Sequence, residues 1–212
     1  MRTSSVITLD DKSKVFVNTH TIEGATKSYY NELFSDATTE EIREKEIEKE
    51  YNKQLQKLVS LQSVKLLSNE TFDKALTYET KFSINENLQK VGTLKITEIP
   101  FIDKVYTRDI IAAENRKFDI NYFFYENNNK YESEVILNIP EGKKFSEIPE
   151  SKTFAFKNQN YTLQFELLKN NSLKVKREVT ILWDNIKPND YLEYKKFVEE
   201  VIAAEEQIVG FK

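Results

Sequence analysis

Through most of this chain apolar residues return at every second position, and that period commits it to half-buried β-strands. Leu76, Tyr78, Thr80, Phe82 and Ile84 alternate with polar neighbours, and a short run of Leu94 and Ile96 follows Gly92. Phe118, Ile120, Tyr122 and Phe124 alternate again, pause at Asn127-Asn128-Asn129, and resume as Val135, Leu137 and Ile139. Asn tolerates positive φ better than other non-glycine residues, so the triplet reads as a hairpin loop. A further hairpin has Tyr161, Leu163, Phe165 and Leu167 on one arm, Asn170-Asn171-Ser172 as its loop, and Leu173, Val175, Val179, Ile181 and Trp183 on the other. Arg177 interrupts that apolar face, with the expectation that its stem packs and its head reaches water. The opening is also a hairpin, from Ser5 to Leu9 and from Val15 to Ile22 around Asp10-Asp11-Lys12.

Two stretches leave the period of two for 3.6. Thr38 with Glu41 forms a capping box, and Ile42, Ile47, Tyr51, Leu55, Leu58 and Val59 trace the buried stripe behind it. The charged run from Glu40 to Lys53 is the solvated face of that helix. Asp190 and Glu193 open the second main helix, one face of which is traced by Tyr191, Tyr194, Val198, Val201, Ile202 and Glu205, its apolar members packing on a sheet, and Ile208-Val209 adds a closing strand. A shorter helix is expected from Ala25 to Phe34. Pro140, Gly142 and Pro149 mark a crossover from one sheet to another, because each proline removes a ladder donor. The expected fold is α+β: an antiparallel β-sandwich of mostly hairpin-connected strands with two main helices. It forms one module over residues 1–212, with an irregular stretch at 98–113 as the candidate internal seam. Trp183, Phe165 and Phe124 are its expected core anchors, and Tyr194 and Val198 dock the last helix.

Scarce residues exclude whole classes of chemistry. With no Cys there is no thiolate nucleophile, disulfide or Cys-ligated metal, and a single histidine, His20, rules out a two-His metal site within the chain. The four glycines are far apart, so no Gly-rich loop can cradle a phosphate. Lys and Arg total 31 against 35 Asp and Glu, a net charge of −4 that offers no basic footprint for nucleic acid. No apolar run is long enough for a membrane span, and the N-terminus lacks the apolar stretch of a signal peptide.

His20 shares a strand face with Phe16 and Ile22, where a structural histidine is the expected reading; a catalytic role would need an orienting carboxylate, for which Glu23 and Asp11 are the nearby candidates. Glu132 and Glu134 share one face and read as a solvent-facing row rather than the two carboxylates of a glycosidase. The aromatics around Phe124 are a candidate ligand platform, and the residues singled out for binding are Tyr122, Phe123, Tyr125 and Tyr131. No catalytic, cofactor-binding or metal-ligating residue is assigned.

A series of short motifs runs through the chain: Gly92-Thr93-Leu94-Lys95-Ile96, Arg116-Lys117-Phe118-Asp119-Ile120, Ile139-Pro140-Glu141-Gly142 with Ile148-Pro149-Glu150, Tyr194-Lys195-Lys196-Phe197 and Ile208-Val209. Their order resembles the C-terminal region of bacterial secreted multidomain transglutaminase-like proteins, in which a β-rich domain of unknown function closes the chain after a papain-like core. Val15 to Ala25 with the charged helix resembles the part that directly follows that core. The family's core uses Cys, His and Asp, and no Cys exists here. The resemblance therefore implies a non-catalytic tail, or a protein that kept only the tail, whose partner is an upstream transglutaminase-like domain in the same or a separate chain. It also implies a periplasmic, cell-surface or secreted location, with a cytoplasmic one as the alternative. The alternative function is a stand-alone module binding a cell-surface polysaccharide or peptide, with no nucleic acid and no membrane span.

Overall fold

A computed structural model of the chain describes residues 1–70, 74–121, 130–181 and 185–212. Tyr122, Phe123, Phe124, Tyr125, the Asn127-Asn128-Asn129 loop and Trp183 lie outside the described residues.

Two antiparallel strands, β1 (Arg2–Leu9) and β2 (Ser13–Ile22), open the chain. A single 3₁₀ turn at Gly24–Thr26 leads into α1 (Lys27–Leu33) and then α2 (Glu40–Leu55). Four strands follow: β3 (Ser60–Ser68), β4 (Leu76–Asn85), β5 (Gln89–Val91) and β6 (Leu94–Glu98). The later strands are β7 (Lys130–Asn138), β8 (Phe145–Glu147), β9 (Lys152–Phe156), β10 (Gln159–Leu167) and β11 (Leu173–Ile181). Helix α3 (Tyr191–Glu205) and β12 (Ile208–Phe211) close the chain. The described residues thus form a mixed, mostly β structure of twelve strands in two sheets with three α-helices.

The larger sheet has eight strands in the order β3-β4-β2-β1-β7-β11-β10-β9, and the smaller has four, β5-β6-β12-β8. Neither closes on itself. The expected antiparallel pairing is interrupted once, at the centre of the large sheet, where β1 and β7 run parallel from Arg2↔Glu132 to Thr8↔Asn138. Because β1 comes first in the chain and β7 follows residue 129, their pairing has no hairpin turn to announce it. Pro140 and Gly142 lie between β7 in the large sheet and β8 in the small one, so the crossover falls where the prolines placed it.

Strict alternation along β1, β2, β4, β7 and β11 leaves one face buried. Helix α1 packs against β4, α2 against β3 and α3 against β9. Ile7, Phe16, Leu76, Phe82, Leu137, Val175 and Val198 are completely buried, and Phe16 stacks on Phe82 with ring centroids 4.4 Å apart.

Four local expectations are corrected. The cap of α2 is Thr39, whose hydroxyl accepts from the Ile42 amide at 3.3 Å, one residue after the expected Thr38. That helix ends at Leu55, where Gln56 takes a left-handed conformation (φ 52°) and the Asn52 side chain accepts the Val59 amide at 2.7 Å. Leu58 therefore lies beyond the helix and points to solvent, Ile42 in the first turn of α2 is also exposed, and the chain enters β3, an edge strand with two register shifts that break its alternation. At the other expected strand start Phe118 is 81% exposed, and Ile120 makes only an isolated bridge to Ile186. Asp190 precedes α3 but accepts no capping bond from it; its carboxylate pairs with Lys157 instead.

Candidate functional site

Polar residues occupy inward positions on successive strands, and the sheet register lines them up. Tyr78 on β4 pairs with His20 on β2, His20 with Thr3 on β1, Thr3 with Ser133 on β7, and Ser133 with Arg177 on β11. All five are buried, so one polar row crosses the interior face of the large sheet. A buried polar group costs free energy unless it finds a partner, so where these groups bond decides what the row can do.

On the N-terminal side the bonds run through hydroxyls. His20 Nε2 lies 2.8 Å from the Tyr51 hydroxyl and Nδ1 lies 3.4 Å from Thr3 Oγ1. Tyr51 in turn lies 2.8 Å from Thr80 Oγ1, which accepts from Asn18 Nδ2 at 3.2 Å. The imidazole stacks on Tyr78 at 4.6 Å. Burial pulls the His20 imidazole down to about 4, so the ring is neutral at pH 7. Burial also pushes the Tyr51 and Tyr78 hydroxyls above their usual range. Hydroxyls, and neither Glu23 nor Asp11, hold the ring: it has the surroundings of a structural histidine.

On the C-terminal side the row carries charge. Arg177, expected to reach water, is 1% exposed. Its Nη2 donates to Asp103 Oδ1 at 2.6 Å, to the Asp103 carbonyl at 2.8 Å and to Ser133 Oγ at 2.7 Å, while Nη1 donates to Glu205 at 3.1 Å. Ser133 Oγ donates to Asp103 Oδ2 at 2.8 Å, and Tyr161 donates to Glu205 at 3.2 Å. The guanidinium also lies 4.6 Å from the centroid of the Phe101 ring. Burial alone would lower the Arg177 guanidinium, but the Asp103 and Glu205 carboxylates beside it hold it above its ordinary value. Burial lifts the Glu205 carboxyl, an effect that Arg177 offsets only in part. Arg177 stays inside because Asp103, from the segment at 98–113, and Glu205, from the last turn of α3, arrive with compensating charge.

Beside the neutral half of the row is a cavity of about 180 Å³, lined among others by His20, Tyr30, Tyr51, Tyr78, Asp103 and Tyr131. Of the four residues singled out for binding, Tyr131 lies on this wall, half-buried; Tyr122, Phe123 and Tyr125 lie outside the described residues. Glu132 and Glu134 face outward as expected, with Glu132 paired to Arg2 at 2.9 Å and Glu134 to Lys174 at 3.0 Å. Among the described residues no cluster of His, Asp and Glu could hold a metal ion, and no helix is long and apolar enough to cross a membrane.

Sequence reasoning missed the row, although a signal for it exists. Thr3, Asn18, Thr80, Ser133 and Arg177 stand in phase with the apolar residues of their strands, and a polar residue in the buried phase needs a partner from another element.

A family model described as a domain of unknown function with solved-structure structure (DUF3858) matches residues 92–211. That span holds β6 to β12 and α3, so Arg177, Asp103 and Glu205 fall inside it while His20, Tyr51 and Tyr78 come from the part before. No curated protein and no solved structure matches the chain.

Proposed function

The chain belongs to the DUF3858 family of domains of unknown function, and from that premise we propose that it is a non-catalytic accessory module of a bacterial transglutaminase-like protein. In this reading it packs against the papain-like catalytic domain or presents substrate to it, in the cell envelope or outside the cell. The small sheet and α3 then form the second layer of a sandwich over the large sheet. One observation carries the reading: the side chains best suited to chemistry are bound into the fold. The lone histidine is held neutral between hydroxyls, and Arg177 is ion-paired with both Asp103 and Glu205 in the interior. The order of short motifs and the missing thiol point the same way.

The test is enzymatic. Purified chain is incubated with a glutamine-containing peptide and a fluorescent amine, alone and with the Cys-His-Asp domain encoded in the same genome. The expectation is no turnover by the chain alone and an altered rate or substrate preference in the mixture. Amide hydrolysis or transamidation by the chain itself overturns the proposal.

A second reading, a stand-alone binding module for cell-surface polysaccharide or peptide, draws on the cavity that Tyr131 lines. It predicts calorimetric binding of such a ligand that Tyr131→Ala weakens, with no effect of the chain on any transglutaminase-like domain.

A further inference from the structure

We infer that the cavity beside His20 receives a lysine side chain, or another primary alkylammonium group, of a peptide. The inference rests on the accessory reading, since transamidation consumes an amine and a module that presents substrate needs a place to hold one.

Size comes first. A cavity of about 150 Å³ takes a group the size of benzene, so one of about 180 Å³ holds a single side chain. Wall chemistry comes second. Tyr29 and Tyr30 meet edge to face at 85° with ring centroids 5.2 Å apart and line the cavity as a right-angled aromatic corner. Tyr78 and His20 continue the wall behind Tyr30, with centroids at 5.6 Å for Tyr30–Tyr78 and 4.6 Å for His20–Tyr78. Aromatic faces attract cations and give nothing to anions.

Charge comes third. Glu46 and Glu50, one turn apart on α2, are exposed on the cavity lining. Both lie near enough to Tyr29 to add to the effect of burial in raising its hydroxyl. Asp103 is the remaining carboxylate of the wall and is already engaged by Arg177. The opposing cations are Lys104 and the amino group of Met1, which donates to the Lys130 carbonyl at 3.0 Å and which burial lowers from its usual value. Among the described residues Glu46 has only Lys49 at 3.8 Å as an ion partner, and Glu50 accepts from the neutral Gln54. An ammonium placed in the aromatic corner would meet both carboxylates, with its methylene stem along the apolar wall formed by Leu33, Ile47 and Ile102.

The experiment uses Nα-acetyl-lysine N-methylamide as probe, with the norleucine analogue as its uncharged counterpart, followed by chemical-shift perturbation and calorimetry on the full chain. The expected result is binding of the lysine probe, with shifts at Tyr29, Tyr30 and Tyr131. The norleucine analogue binds about tenfold more weakly or worse, and Glu46→Gln/Glu50→Gln weakens the lysine probe by about as much. Both substitutions are on the exposed side of α2, so an unchanged melting curve shows that the fold survives. Equal binding of the two probes, no binding of the lysine probe, or shifts confined to the outer sheet face overturns the inference. The same samples are titrated with the transglutaminase-like domain. Lysine binding without domain association upholds the amine site and removes the accessory reading, whereas domain association without lysine binding removes the amine site alone.

Discussion

Arg177 and Asp103 are 74 residues apart in sequence and meet at 2.6 Å in the interior, each side chain almost wholly shielded from water. Removing one partner of a buried ion pair strands the other, at a cost of about 3–5 kcal/mol. Asp103→Ala is therefore expected to lose that much in urea unfolding. Arg2→Ala, which breaks the exposed pair with Glu132, leaves the midpoint nearly unchanged.

His20 sets an acid limit on stability. Its imidazole falls from 6.5 to about 4 on folding because burial disfavours the charged form. The unfolded chain thus takes up a proton over a pH range where the folded chain does not. Stability from this group is full above pH 6.5 and is lost as the pH falls toward 4, by about 3 kcal/mol in all. Chemical denaturation at a series of pH values should show that loss, and His20→Gln should flatten it.

Glu205 titrates in the opposite sense. Burial lifts its carboxyl above the ordinary 4.5, so its contribution is full below pH 4.5 and declines as the pH rises through the folded value. The two groups oppose each other as the pH rises above 4.5. Glu205→Gln should then make the acid limb of the same pH series steeper than in the parent chain.

Gly210 is fixed by close approach. A Cβ there would lie 2.9 Å from Glu147 Cβ and 3.0 Å from Leu94 Cδ2, across β12 from both β8 and β6. Gly210→Ala is expected to destabilise by about 1–3 kcal/mol, read as a lowered melting temperature.

Strands whose alternation is strict and whose partners are hairpin neighbours were legible in the sequence: β10 with β11 around Asn170-Asn171-Ser172, and β1 with β2 around Asp10-Asp11-Lys12. So were α3, from its apolar stripe, and the crossover at Pro140. Edge position hid β3, because Ser60–Ser68 is mostly exposed and bulged and its pattern has no clean period. Distance hid the β1–β7 pair and the Arg177 network, since no local signal says that Asp103 and Glu205 arrive over β11. The aromatic cavity was half legible. Tyr131 stood out in the sequence, but Tyr29, Tyr30, Tyr51 and Tyr78 come from two helices and a strand that only the fold brings together.

The most direct test of the accessory reading is a calorimetric titration of the full chain with the folded Cys-His-Asp domain encoded in the same genome. The account predicts a one-to-one complex with Kd tighter than about 10 μM, co-migrating in gel filtration. Absence of both heat and co-migration, with each partner folded, contradicts it.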